Sequence, residues 1–171
     1  MTLFTDSERS VPDLVNAIES SDPEIVEAAE HALSALGKYA VDPLVKLLKT
    51  GTDKVTRRNA AMLLGALDSR RGLKGLTIAM FKDDDTEVRI KAVRAVREMC
   101  SRDVLPESLE VLIRCANQNR LMVQYAAIKA LTQLDDRDAL IAVQRIAAFH
   151  DTPRVRRSAE QALWQRRQRL I

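Results

Sequence analysis

An all-α, right-handed superhelical stack of about five helix pairs is the fold that the 171-residue sequence predicts, on three observations. Residues 85–99 carry Val88, Ala92, Ala95, Val96 and Met99 at helical spacing, one apolar stripe behind an Asp85 placed as a helix N-cap. The template restarts at Asp22, Asp53, Asp85, Arg120 and Thr152, at offsets of 31, 32, 35 and 32 residues, a period typical of helical repeats. Five glycines, five prolines and no run of alternating polarity argue against strands.

Each element follows from its own residues. The segments starting at Val11, Val41, Gly72, Leu105 and Ala139 are amphipathic, and Pro12, Pro43 and Pro106 stand at the front of theirs, where a first helical turn tolerates a missing N–H. These are the A helices, and the template copies are the B helices. With Asp85 as slot one, slot eight is Ala29, Ala60, Ala92, Ala127 and Ala159, a small residue that lets helices approach closely. Slot twelve is Leu33, Leu64, Val96, Leu131 and Leu163, and slot fifteen is Leu36, Leu67, Met99, Leu134 and the exception Arg166. Pairing A with B gives units near 7–37, 38–68, 69–100, 101–135 and 136–168, within one elongated domain spanning 1–171.

On these residues the chain resembles the HEAT-repeat family, and within it the short repeats of the bilin-lyase-like branch, whose second helix reads roughly D-x-x-V-R-x-x-A-x-x-A-L-x-x-L. The resemblance runs from about Ser7 to Arg166. It implies a ladder between successive repeats, formed by the slot-one acid and the slot-five arginine. Asp53 with Arg57 and Asp85 with Arg89 match both slots. Asp22 has Val26, Arg120 has Gln124 and Thr152 has Arg156, so the ladder is expected to break toward both ends. A scaffold of this kind hosts unrelated functions, so the resemblance speaks for fold and not for activity.

Composition narrows the class. At 46% hydrophobic the chain can bury a core between neighbouring repeats. No apolar run is long enough for a membrane span, and residues 1–10 lack a signal-peptide core. Two cysteines, Cys100 and Cys115, are too few for a disulfide framework, so a cytoplasmic location is expected. Residues 1–50 hold four Lys/Arg against nine Asp/Glu, a balance of −5, and residues 51–171 hold 23 against 15, or +8, giving the net +3. Such polarity steers acidic partners toward one end.

The sequence contains no catalytic constellation, no cofactor motif and no metal site. HEAT-fold deoxyhypusine hydroxylases hold two irons with His-Glu pairs at slots six and seven of the B helix. Here those slots read Glu27-Ala28, Arg58-Asn59, Ile90-Lys91, Tyr125-Ala126 and Arg157-Ser158. The run Asp83-Asp84-Asp85 lacks the spaced oxygen ligands of a calcium loop and reads as a helix cap. HEAT-like DNA glycosylases pair a basic groove with aromatics and a catalytic carboxylate. Only Tyr125 and Trp164 project from B helices here, with no acid beside both.

The B-helix slots opposite the apolar stripe, which the resemblance places on a concave surface, predict a partner-binding groove. Met62, Ile90, Val93, Tyr125 and Ile128 are its expected apolar lining, framed by Arg58, Arg94, Arg97, Lys129 and Arg157, with Trp164 at the far end. The implied function is a non-catalytic scaffold or adaptor for a protein or peptide, an acidic or amphipathic helix suiting that lining best. Two alternatives remain open: nucleic-acid binding through the Arg-rich C-terminal half, and a phycobilisome-associated bilin lyase or chaperone role implied by the branch.

Overall fold

Several helices begin where the sequence supplies a capping side chain. In the computed structural model, which describes residues 11–18, 20, 22–67, 69–101 and 107–169, the slot-one acids do this work. Residues 7–10 of the expected first unit, and Leu105 and Pro106 of the fourth, lie outside the described residues. Asp22 accepts from the Glu24 N–H at 2.9 Å, Asp53 from Thr56 at 2.8 Å and Asp85 from Val88 at 3.0 Å. Ser69 and Asp136 cap first helices of pairs in the same way. Pro23 and Pro153 each open a helix, and Gly37, at φ +49°, closes one.

The helices so bounded are α1 (11–17), α2 (Pro23–Leu36), α3 (Val41–Thr50), α4 (Lys54–Ala66) and α5 (Arg70–Lys82). They continue as α6 (Thr86–Ser101), α7 (Glu107–Asn117), α8 (Leu121–Gln133), α9 (Arg137–Phe149) and α10 (Pro153–Arg169). A 3₁₀ turn, Gly37–Ala40, joins α2 to α3, and no strand occurs among the described residues. Odd-numbered helices are the A series and even-numbered helices the B series. The pairs α3–α4, α5–α6, α7–α8 and α9–α10 pack internally. Along the stack A lies on A (α3, α5, α7, α9) and B on B (α4, α6, α8, α10). The chain is an α-solenoid.

The template's small slot sits at the crowded centre. All five slot-eight alanines are buried, as are Leu33, Leu64, Val96 and Leu131 of slot twelve, and one apolar core runs from Val11 to Ala159. The tightest approach is between α4 and α6, where a Cβ on Gly65 would stand 2.7 Å from both Cα and Cβ of Ala95. Gly65→Leu is therefore expected to lower stability, because overpacking costs about 1–3 kcal/mol. That outweighs the helix propensity gained, about 1 kcal/mol. Thermal melts would show it, with Ala66→Leu at the exposed neighbouring position as the unchanged control.

The ladder between repeats exists, with partners other than those the resemblance implied. Asp53 and Asp85 are occupied as caps, and the slot-five side chain instead clamps the A–B turns. Arg57 donates to the Gly51 carbonyl of its own turn at 3.0 Å, and forks onto both Asp83 carboxylate oxygens of the next turn at 3.0 and 3.1 Å. Arg89, itself buried, donates to the Asp83 carbonyl and reaches Asn119 of the following turn at 3.2 Å. Gln124 continues the series with a 3.3 Å contact to His150, and Arg156 donates to the His150 carbonyl. The expected break at Gln124 does not occur, because an amide is long enough to reach the next turn. The Asp83 hydrogen bond raises the Arg57 pKa, while burial lowers that of Arg89.

Candidate interaction groove

Three of the expected groove residues are core residues. Val93 and Ile128 are fully buried and Ile90 is 9% exposed, so none of them lines a surface. The reason is the side-by-side packing of α4, α6, α8 and α10. A B helix in this stack has an A helix beneath it and B neighbours on its flanks, so the half-circle opposite the apolar stripe is not all free. Slot nine (Ala61, Val93, Ile128) and slot thirteen (Gly65, Thr132) are buried, and Arg97 at slot thirteen is half-buried. On α4, α6 and α8 exposure is concentrated near slots three, ten and fourteen, and the terminal α10 also exposes Glu160 and Trp164.

Slot ten gives the clearest row. His31, Met62, Arg94, Lys129 and Gln161 are exposed on five successive B helices. Of the other expected lining residues, Arg58 and Tyr125 are half-buried at slot six and Arg157 is exposed there. Arg97 donates to Gln133 at 3.1 Å, bridging α6 to α8, so it helps hold two rungs together. Trp164 is 62% exposed on α10. The apolar part of the expected lining thus shrinks to Met62 and the side of Tyr125, and the cationic part survives.

The cations converge at one end. A cleft of about 450 Å³ between α8 and α10 is lined by Lys129, Arg154, Arg157, Arg166 and Arg169, with no carboxylate. Tyr125, Gln133, Gln161 and Gln165 add hydrogen-bonding groups to its walls. Arg166 is committed to structure: it donates to the Thr132 and Leu134 carbonyls at 2.8 and 2.7 Å and pairs with Asp135, capping α8 and tying α10 to it. Its presence at an otherwise apolar slot has this physical cause. Among the described residues, Arg94, Lys129, Arg154, Arg157 and Arg169 form no ion pair. Unpaired like charges in a shared cleft raise the local positive potential and attract anions.

Sequence reasoning passed over Arg154, Gln165 and Arg169 as site residues. Positions 154, 157, 161, 165 and 169 recur at steps of three and four, one face of a helix, and that period was the available signal. The A helices carry other exposed apolar groups, Ile78, Ile141 and Phe149.

Burial pushes the Cys100 and Cys115 thiols up to about 12, so neither is a thiolate nucleophile at neutral pH. Among the described residues no group of three His, Cys, Asp or Glu side chains could hold a metal, and no helix is long and apolar enough to cross a membrane.

No curated protein sequence matches the chain. Among solved structures it is similar to a chain of the complex of CpcE and CpcF of phycocyanin lyase from Nostoc sp. PCC7120. That likeness has 21% identity and a TM-score of 0.63, over 91% of this chain and 98% of that one. A designed armadillo repeat protein is similar at 18% identity and a TM-score of 0.44, over 91% and 82% of the two chains. The profile of HEAT repeats matches residues 3–65, 41–120 and 73–164, nearly the whole sequence. With its paired helices, its alanine slot and its clamped turns, the chain belongs to the HEAT-repeat family.

Proposed function

We propose that this protein is a non-catalytic scaffold whose B-helix face holds an acidic segment of a protein partner. The observation that carries the reading is the α8–α10 cleft, where Lys129, Arg154, Arg157 and Arg169 face shared space with no carboxylate among the described lining residues. Arginine and lysine without an internal partner keep their charge available for an external one, and a carboxylate-rich chain supplies it with bidentate geometry. The likeness to the phycocyanin lyase chain extends to the fold, and no bilin chemistry is drawn from it.

Polyglutamate and a single-stranded oligonucleotide, each fluorescently labelled, separate the acidic-partner reading from nucleic-acid binding. The wild type is expected to bind polyglutamate. The triple variant Lys129→Glu, Arg157→Glu, Arg169→Glu is expected to lose about tenfold or more, since exposed ion pairs contribute about 0.2–1 kcal/mol each and reversal adds repulsion. Its melting temperature should be unchanged, because these side chains are exposed. Tighter binding of the oligonucleotide, with an affinity falling steeply in salt, would replace the protein partner by a nucleic acid. Binding of neither would remove the groove as a site.

A further inference from the structure

The slot-ten row specifies more than a charge preference. Successive B helices present Met62 on α4, Arg94 on α6, Lys129 on α8 and Gln161 on α10, all exposed. Two cross-links fix α6, α8 and α10 in near-matching register, and α4 packs directly on α6. Arg97 at slot thirteen of α6 bonds Gln133 at slot fourteen of α8. Arg166 at slot fifteen of α10 bonds the carbonyls of slots thirteen and fifteen of α8. A row at one slot therefore crosses the helices instead of following any one of them. Its chemistry has direction: one apolar group, then two unpaired cations, then an amide with Arg157 one turn before it.

The step between rungs is the separation of packed helix axes, about 8–10 Å. A polyproline II chain rises about 3.1 Å per residue with three residues per turn, so every third side chain returns to the same side after about 9.3 Å. The two periods coincide. An α-helix laid along the row would return a side chain at that distance only after about six or seven residues. A flat β-strand alternates faces, so its third residue points away. A polyproline II backbone makes no internal hydrogen bonds, and Gln133, Gln161 and Gln165 offer amides that can both donate and accept.

Resting on the reading of an acidic protein partner, we infer that the groove takes an extended segment in the polyproline II conformation, with acidic side chains at every third residue over α6, α8 and α10 and an apolar one over α4. Arg94 and Lys129 are the specificity-determining residues for the two inner acids, Arg157 meets the third, and Met62 packs against the apolar position.

Three labelled peptides of equal length, each with the same number of glutamates and one leucine, test it against the full-length protein by fluorescence anisotropy. The first spaces glutamates every third residue with prolines and alanines between and a leucine three residues beyond, synthesised in both chain directions. The second places the same glutamates every second residue, and the third groups them on one face of an alanine-rich helix. One direction of the first peptide is expected to bind at least about tenfold tighter than the others, since preorganisation lowers the ordering cost of association. Arg94→Glu should abolish that preference, and a peptide with lysine at the matching position should restore binding to this variant. Equal affinities, or tightest binding by the second or third peptide, would overturn the extended register while leaving the acidic partner in place. Failure of every glutamate peptide to bind the wild type would overturn both. A melting temperature of Arg94→Glu equal to wild type assigns its loss of binding to the contact.

Discussion

Ile128→Ser is expected to unfold a large fraction of the protein at temperatures where the wild type is native. The side chain is fully buried where α8 lies between α6 and α10, and its truncation leaves a cavity in that core. Truncating a buried isoleucine costs about 2–5 kcal/mol, and an unsatisfied buried hydroxyl about 1–3 more. A total of about 3–8 kcal/mol is a large share of the 5–15 kcal/mol that holds a typical protein folded. In a chain of this size each kcal/mol moves the melting temperature by about 2–4 °C, so a fall of roughly 10 °C is expected. Met62→Ser, on the same series of helices but exposed, should leave the melt near wild type. An Ile128→Ser variant that melts with the wild type would mean that the flanks of the B helices are open and that the apolar groove exists after all.

The turn clamp gives the second large effect. Arg57 is 11% exposed and Asp83 only 7%, and the guanidinium forks onto that carboxylate while also holding the Gly51 carbonyl. Arg57→Ala leaves the Asp83 carboxylate buried, with the Asp85 backbone N–H and the nearby charge of Arg89 in place of its forked partner. Breaking a buried pair from one side costs about 3–5 kcal/mol, most of it the penalty of the orphaned charge. Asp83→Asn on top of Arg57→Ala is therefore expected to recover part of the loss, and the double-mutant cycle should show coupling above about 1 kcal/mol. Arg57→Lys should rescue little, because a single ammonium cannot span two turns at once. Additive effects of the two substitutions in urea melts would show that Arg57 serves the turn through Gly51 alone.

The boundary between what could be read and what could not is local. The slot-eight alanines, the cap at Asp85 and the helix-pair order from Val11 to Arg169 were legible because each depends on residues within a turn or two of one another. The same periodicity placed Arg94, Lys129 and Arg157 on the exposed stripe. Ile90, Val93 and Ile128 were assigned to that stripe by angle from the apolar face, a rule that holds for a helix with one buried side. In the stack each of them is covered by the flanking B helix, a contact across 30 or more residues that no single-helix pattern encodes.

Long-range reach also decided the ladder. The resemblance implied a ladder between the slot-five arginines and the slot-one acids of successive repeats, yet Asp53 and Asp85 are spent as caps and Arg57 reaches 26 residues on to Asp83. Arg166 broke the apolar pattern of slot fifteen as read in sequence, and only the packed α8–α10 pair shows it closing the carbonyl end of α8. By itself the sequence determined the helices, their period, their caps and the sign of charge at each end, because those are properties of single segments. Only the tertiary structure decided which faces of the B helices stay open, because burial is a property of neighbours, and the neighbours here are a repeat apart.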